Sequence, residues 1–269
     1  MREVVAPTFY ALSQPIPEGL KKLAEAGVRL IEIHGDEPDT HIDLMNESQV
    51  DALAALVGRI PVEVHSVHCA FSRPSEDFWD ISQLDDTKRE AAIRNRVKVL
   101  GATAKLRARH MIIHPGVEAH GADRLANCRA SLARLAETAR NLGVMIAVEN
   151  LPPGYLGESV SEMRQVLAGL DPKVVGFCLD TGHAMLGPDT PTDFIRALGD
   201  RMIAIHWHGN DGTDDQHLFP GDGRTAWDGF LAALDEVGYD LPITVEAVPP
   251  EGMSLSEAAR AIRDVLQQK

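Results

Sequence analysis

A stretch at residues 202–223 joins an apolar run to residue types that bind metal ions and transfer protons. The run leads into His206 and His208, and the chain then becomes polar, with Asp215 and His217 following soon afterwards. A short buried strand that ends in histidine and aspartate is typical of a metal site, because imidazole nitrogens and carboxylate oxygens are common ligands of divalent ions. The stretch predicts metal binding if other strands of the chain end in the same way.

Most of the other strand-like runs do end in a side chain that could bind a metal ion. These ends carry Glu32 with His34, His68, His114, Glu149, Asp180 and Glu246. Three carboxylates brought to one site would repel one another strongly unless a cation or a shared proton compensated them. The metal ligands predicted on this ground are Glu149, Asp180, His208 and Glu246. His206 shares the side-chain direction of His208 but lies one layer deeper, which favours contact with a ligand or with the substrate over ligation.

Eight short apolar runs alternate with longer helical segments along the whole chain. The runs cover residues 4–9, 28–34, 61–69, 109–114, 144–149, 174–180, 202–208 and 243–247. Helices are predicted at residues 17–27, 47–58, 84–105, 122–143, 159–170, 192–198, 227–238 and 255–267, and the stretch after residue 180 is helical until Gly187 and Pro188 interrupt it. This order predicts an α/β fold, a single (β/α)₈ TIM barrel.

The barrel is favoured over a doubly wound open sheet, because an open sheet typically carries fewer strand–helix units. No linker or shift in composition divides the 269 residues, so we expect one domain over residues 1–269. In a TIM barrel the C-terminal ends of the strands meet at one rim, which is where catalytic groups collect. The predicted metal ligands would therefore lie together at the mouth of the barrel.

The composition narrows the expected partners. A formal net charge of −14 argues against a broad nucleic-acid surface. No apolar run approaches the length of a membrane span, and the N-terminus lacks the layout of a signal peptide. Three cysteines without a CxxC pair fit a reducing cytoplasm, so we expect a cytoplasmic protein without a membrane partner. The sequence leaves open whether it forms a homo-oligomer.

Several histidines and one cysteine are interpreted as surface or packing residues that neither bind a metal ion nor take part in catalysis. His41, His110 and His120 are interpreted as surface or packing residues. His65 has the opposite side-chain direction to His68 and is expected to face a helix. Cys178 lies two residues before Asp180 and is expected to pack inward below the site.

Five motifs carry a resemblance to a known family. They are HPG at residues 114–116, VEN at 148–150, LDTGH at 179–183, HWHGNDGTDDQHLFPGDG at 206–223 and VEA at 245–247. In these motifs the whole chain resembles the xylose-isomerase-like TIM-barrel superfamily. That superfamily includes sugar-phosphate isomerases and epimerases, ketose 3-epimerases and type-IV apurinic endonucleases.

The resemblance implies roles for particular residues. In the ketose epimerases, residues that match Glu149, Asp180, His208 and Glu246 hold one metal ion, and the two glutamates move a proton on opposite faces of the substrate carbon. In the endonucleases a larger set holds three zinc ions. Its further positions match His68, His114, His183, Asp215 and His217 here.

The sequence favours a carbohydrate isomerase or epimerase that transfers a proton through an enediolate, with Glu149 and Glu246 as the proton-transfer pair. His183 is interpreted as a contact to a substrate oxygen or as a ligand of a second ion. An oxygen-rich ligand set suits Mn²⁺, Mg²⁺ or Co²⁺, and recruitment of the additional histidines would favour Zn²⁺. The alternatives are an endonuclease-IV-like phosphodiesterase that acts on abasic DNA, a metal-dependent lyase of the same superfamily, and a non-enzymatic binding protein. The acidic charge, and the lack of a clear basic and aromatic loop set, argue against the endonuclease.

Overall fold

The computed structural model of the protein describes most of the chain. The described residues are 2–8, 15–35, 41–70, 79–116, 121–219, 222–223, 227–247, 250, 252–254, 256–258 and 260–261. Within these ranges, no helix is both long enough and apolar enough to cross a membrane.

Eight parallel strands form a closed barrel in chain order. They are β1 (Val4–Pro7), β2 (Leu30–His34), β3 (Glu63–His68), β4 (His110–Ile113), β5 (Met145–Glu149), β6 (Val175–Asp180), β7 (Met202–His206) and β8 (Ile243–Thr244). The barrel closes where Val4 and Val5 of β1 pair with β8. The predicted (β/α)₈ fold is confirmed, whereas the extent of one domain over residues 1–269 stays a prediction.

Helices connect the strands as the pattern predicted. They are α1 (Ile16–Glu25), α2 (Glu47–Val57), α3 (Asp86–Lys105), α4 (Ala122–Leu142), α5 (Val160–Leu167), α6 (Thr181–Leu186), α7 (Pro191–Leu198) and α8 (Trp227–Glu236). Side chains of Asn46, Asp85, Ser159 and Thr190 accept hydrogen bonds at the N-termini of α2, α3, α5 and α7. The helix predicted at residues 255–267 lies largely outside the described residues.

The strands β7 and β8 end two and three residues earlier than the apolar runs suggested. β7 stops at His206 and β8 stops at Thr244, where residues 208 and 247 were the predicted ends. The last pairing joins the Trp207 amide to the Thr244 carbonyl at 2.7 Å. His208 and Glu246 therefore lie beyond the regular strands, on the chain that forms the mouth of the barrel.

An apolar layer lies inside the barrel below its mouth. Buried side chains of β4 to β7 form a separate cluster there, made of Ile112, Ala147, Cys178 and Ala204. Each belongs to the side-chain set that alternates with the residues packed against the helices. This layer supports the polar residues above it and places Cys178 inward, as predicted.

A bulge in β3 explains one wrong prediction. Ile31 pairs with Val64 but Glu32 pairs with Ser66, so His65 is an extra residue in β3. The bulge breaks the alternation on which the prediction for His65 relied. Instead of facing a helix, the buried His65 ring packs edge-on against His110, with 5.1 Å between centroids. His41 and His110 are buried packing residues and not surface residues, and His120 lies outside the described residues.

Candidate active site

The ends of β5 to β8 bring the four predicted metal ligands to the mouth of the barrel. Glu149, Asp180, His208 and Glu246 are all buried. Asp180 closes β6 and also caps α6, since its Oδ1 accepts a hydrogen bond from the His183 amide at 2.7 Å. Its Oδ2 lies 2.9 Å from Nε2 of His208. The direction of the Asp180 carboxylate is thus fixed from two sides.

His206 lies within hydrogen-bond distance of two of the carboxylates. Its Nδ1 is 2.8 Å from Glu149 Oε1, 3.1 Å from Glu246 Oε2 and 3.9 Å from Asp180 Oδ2. One ligand atom from each of these four residues lies within 4.8 Å of the others. The carboxylates extend toward this deeper ring, and the role of His206 as a contact to a ligand or to the substrate stays a prediction. His208 forms a different group of the same kind with His217 and Glu246.

A second group of ligand atoms forms where β3, β4 and β5 end. Nε2 of His114 and Nε2 of His68 lie 3.1 and 3.4 Å from Glu149 Oε2. All three ligand atoms lie within 4.8 Å of one another. The structure thus brings two of the additional predicted residues to the far oxygen of a residue that also belongs to the central group.

A third group is centred on Asp215. Its Oδ2 lies 3.1 Å from Nε2 of His183 and 3.2 Å from Nε2 of His217. The loop after β7 returns to the site because Gly209 and Leu218 pair antiparallel, with N···O distances of 2.9 and 2.7 Å. This pairing brings Asp215 and His217 back over the mouth.

Three of these histidines are oriented in the way that metal-bound histidines usually are. Nδ1 lies 3.1 Å from the Cys69 carbonyl in His68, 2.8 Å from the Asn150 carbonyl in His183 and 2.7 Å from the Glu246 carbonyl in His217. Since a carbonyl only accepts, Nδ1 carries the hydrogen in each, and Nε2 of the neutral ring is left as a ligand atom directed at a carboxylate.

Two buried ligand atoms without hydrogen-bond partners in the described part of the chain indicate whether a metal ion fits this site. Nδ1 of His208 and Oδ1 of Asp215 are buried without a hydrogen-bond partner among the described residues. They face each other across 3.9 Å. Buried polar atoms normally have partners, so this unpaired couple fits the presence of a cation. The donor set of carboxylates and imidazoles agrees with that fit.

The charges of the site are mutually dependent. Burial alone would raise the pKa of Glu149, but His206, His114 and His68 hold that pKa well below its usual value. Burial alone would lower the pKa of His206, but its neighbours Cys178, Glu246, Glu149 and Glu32 hold that pKa well above its usual value. A protonated His206 ring therefore compensates the carboxylates when no metal ion does so.

The aspartate of the third group shifts its neighbours in the same way. Burial opposes each change, but Asp180 and Asp215 raise the pKa of His183 to about 10. The Asp215 hydrogen bond, with Glu246, raises the pKa of His217 to about 9. The two imidazoles lower the pKa of Asp215 against the effect of its burial.

Glu32 and its neighbour Ser66 belong to this site, although neither residue was assigned a role from the sequence. Glu32 is fully buried on β2, and it accepts a hydrogen bond from Ser66 Oγ at 2.5 Å. Its Oε1 is 3.1 Å from His34 Nε2 and 3.2 Å from His206 Nε2. The signal in the sequence was the pair Glu32 and His34, two residues apart at the end of an apolar run. Residues at that spacing point to the same side of a strand.

Comparisons with known proteins agree with this architecture. The ketose 3-epimerase of Arthrobacter globiformis is 25% identical over 245 residues, which cover 87% of this chain and 78% of that protein. The crystal structure of a D-tagatose 3-epimerase-like protein has a TM-score of 0.84 at 24% identity, covering 99% of this chain and 96% of that one. The crystal structure of the IOLI protein with a binding zinc atom has a TM-score of 0.78 at 18% identity, covering 99% and 96%.

These two structures show that the fold is shared. The family itself is shown by a match to a protein-family model over nearly the whole sequence, from residue 20 to residue 268. The chain belongs to the xylose isomerase-like TIM barrel family.

Proposed function

We propose that this protein is a divalent-metal-dependent isomerase or epimerase of a small carbohydrate or sugar phosphate. The proposal rests on the convergence of Glu149 and Glu246 on Nδ1 of His206, at 2.8 and 3.1 Å. β6 and β7 lie between β5, which ends at Glu149, and β8, which Glu246 follows, so the two carboxylates approach from different sides of the mouth. Similarity over 87% of the chain to a protein named ketose 3-epimerase supports the substrate class.

The residues that would hold the metal ion are Glu149, Asp180, His208 and Glu246. A bound divalent ion would polarise the carbonyl and hydroxyl oxygens of a hydroxy-ketone and stabilise the charge that develops when a proton leaves. Asp180 is held by the His183 amide and by His208, which gives it the fixed direction that a ligand needs. Mn²⁺, Mg²⁺, Co²⁺ and Zn²⁺ all remain compatible with such oxygen and nitrogen donors.

Glu149 and Glu246 would move the proton. One carboxylate removes the proton next to the substrate carbonyl. The other, which takes up a proton from solvent before the reaction, returns that proton to the opposite face for epimerisation or to the neighbouring carbon for isomerisation. Both groups are ionised in the metal-free protein, since neighbouring imidazoles lower the pKa of each against the effect of burial. A buried mouth also limits the access of water to the reacting carbon.

A zinc phosphodiesterase is the second candidate, and one observation favours it. Beyond the central group, the structure has two further sets of ligand atoms, His68 with His114 and His183 with Asp215 and His217. Several ions close together suit phosphodiester hydrolysis, because they can stabilise both the attacking and the leaving oxygen. The net charge of −14 opposes binding to DNA, so we rank this function second.

A hydrogen-exchange assay separates the two functions. The protein is incubated with Mn²⁺ and a panel of ketoses, aldoses and their phosphates in D₂O, and a duplex with an abasic site is tested in parallel. An isomerase or epimerase must break one C–H bond, so deuterium should appear at the carbon next to the carbonyl without nicking of the duplex. Nicking that depends on His68 and His217, without exchange on any sugar, would contradict the proposal.

The same samples distinguish the remaining alternatives. Loss of water from the sugar would indicate a lyase of the same family. The absence of any reaction, together with stoichiometric metal, would indicate a binding protein. Both outcomes are visible by NMR on the mixtures used for the exchange measurement.

A further inference from the structure

Glu32 lies below the candidate metal ligands and is linked to them by imidazole rings. It belongs to β2, across the barrel from β7, and its side chain is fully buried. It is absent from the groups of potential metal ligands found among the described residues. A carboxylate buried without a metal ion costs free energy unless hydrogen bonds compensate it. The partners of Glu32 therefore indicate its role.

The first link runs through His206. Nε2 of His206 lies 3.2 Å from Glu32 Oε1, and Nδ1 of the same ring lies 2.8 Å from Glu149 and 3.1 Å from Glu246. An imidazole is rigid and planar, so fixing one nitrogen fixes the direction of the other. The position of Glu32 thus determines where Nδ1 meets the two glutamates.

The second link runs through His34. Its Nε2 lies 3.1 Å from Glu32 Oε1 and 3.5 Å from Glu246 Oε1. The His34 ring is itself held by stacking on His68, with centroids 4.6 Å apart and 9° between the planes. Glu246 is therefore reached from Glu32 by two separate rings, one to each of its oxygens.

The third partner anchors Glu32 itself. Ser66 Oγ donates to Glu32 Oε2 at 2.5 Å from the neighbouring strand β3. With Oε2 held by Ser66 and Oε1 facing both imidazoles, the carboxylate has little rotational freedom. Residues that hydrogen-bond to metal ligands usually fix the direction of those ligands.

We propose that Glu32 is the positioning residue of this site, which acts through His206 and His34 to fix the directions of the Glu149 and Glu246 carboxylates. The expected loss of kcat rests on the proposed isomerase or epimerase function. The expected change in the arrangement of the metal ligands is independent of any substrate.

The test compares Glu32→Gln with Thr103→Val, a matched control. Thr103 is buried in α3, and its hydroxyl donates to the Val99 carbonyl at 2.7 Å, so the control also loses one buried hydrogen bond. Each variant is loaded with Co²⁺ and its visible absorption spectrum is recorded, because that spectrum reports ligand arrangement without substrate. We expect a shifted spectrum and about 10- to 100-fold lower kcat for Glu32→Gln, with metal stoichiometry and KM near those of the wild type.

Glu32→Asp keeps the charge, so its Co²⁺ spectrum and kcat should lie closer to those of the wild type than the values of Glu32→Gln do. A loss of packing alone would not explain that recovery. Thr103→Val should have the spectrum and kcat of the wild type. A wild-type spectrum and kcat in a folded Glu32→Gln would overturn the inference while leaving the proposed function intact. If the wild type turns over no sugar, the proposed function fails, and the Co²⁺ spectrum of Glu32→Gln still decides the positioning role. If Glu32→Gln does not fold, an unshifted spectrum in folded Glu32→Asp would overturn the inference, because the shorter side chain must move the imidazoles.

Discussion

The imidazole rings of His208 and His217 lie parallel, 3.9 Å apart and inclined by 7°. One ring follows β7 directly, and the other arrives through a loop that the pairing of Gly209 with Leu218 returns to the barrel. His217 has a φ of 48°, in the left-handed region that side chains rarely adopt. Unusual backbone of this kind often occurs where a side chain must be placed for function. The loop thus adds its own ligand atoms to those of the strands.

Loss of either proton-transfer carboxylate should abolish most activity. Glu149→Gln and Glu246→Gln keep the size of the side chain but remove the base, so each should lower turnover ~10²-fold or more. Turnover would be measured on the sugar identified by deuterium exchange. Glu236→Gln on α8, which alters an exposed ion pair with Arg196 of α7, serves as the control and should keep full activity.

Two further measurements separate chemistry from folding. The melting temperatures of the Gln variants in metal-free buffer should stay comparable to that of the wild type, and metal content shows whether the ligand role is lost at the same time. Undiminished turnover in both variants would remove these residues from the proposed mechanism.

Gly182 should be required for metal binding because of the space it leaves. A Cβ at this position would lie 2.0 Å from Cε1 of His208. In Gly182→Ala the His208 ring must therefore rotate away from Asp180, whose Oδ2 is 2.9 Å from its Nε2. We expect at least about tenfold weaker metal binding by isothermal titration, a loss typical of a displaced ligand.

The control is a glycine-to-alanine substitution at a position where the added Cβ meets no neighbouring atom. Gly101 lies inside α3, and a Cβ there meets no heavy atom within 4 Å. Gly101→Ala should leave metal binding unchanged and stabilise the protein by up to about 1 kcal/mol, because alanine has the higher helix propensity. Wild-type metal affinity in Gly182→Ala would show that His208 is not held where the structure places it.

The barrel could be predicted from the sequence because its signals are local. Alternating apolar runs and helices define the strands, and parallel strands in a barrel must end at one rim. Asp180 was placed in the site on that basis alone. His65 could not be placed, since a bulge in β3 shifts the register and the sequence carries no mark of it.

The contacts of the site depended on non-local structure. Asp215 and His217 were suggested by a motif, but their return to the mouth needs the pairing of Gly209 with Leu218. The convergence of two carboxylates on His206 needs side-chain conformations that strand periodicity does not define. The separate ligand groups thus followed from tertiary contacts, whereas the identities of most ligands followed from strand ends.

Metal binding at the third group should release protons. Without a metal ion the pKa of His183 is raised to about 10 and that of His217 to about 9, so both rings are protonated at neutral pH. A ring must lose its Nε2 proton to become a ligand, so metal affinity should rise with pH up to about pH 10. Titration calorimetry in buffers of different ionisation enthalpy gives the number of protons released.

His217→Ala removes one of these ligands and is the comparison variant. Its binding should release about one proton fewer at pH 7.5 than that of the wild type, because one protonated ring is missing. Proton release that is zero for both proteins, or equal in both, would exclude His217 from the metal centre.

His110 should make the metal-free protein less stable in mild acid. Burial, aided by the neighbouring His65, lowers its pKa in the folded protein to about 3. The unfolded chain, with a pKa of about 6.5, takes up a proton below that pH while the folded protein does not. The contribution of the neutral ring to stability is therefore present above pH 6.5 and declines as the pH falls toward 3. By pH 5 the loss amounts to ~2 kcal/mol.

The measurement compares unfolding free energies of the wild type and His110→Gln, in chelator, at pH 7.5 and pH 5. The variant lacks the titrating ring, so its deficit relative to the wild type should shrink by ~2 kcal/mol on acidification. His217→Gln provides a control of opposite sign. The folded pKa of His217 is raised to about 9, so its contribution is present below pH 6.5 and is lost as the pH rises toward 9. A deficit of His110→Gln that does not change between the two pH values would show that His110 is not held neutral inside the barrel.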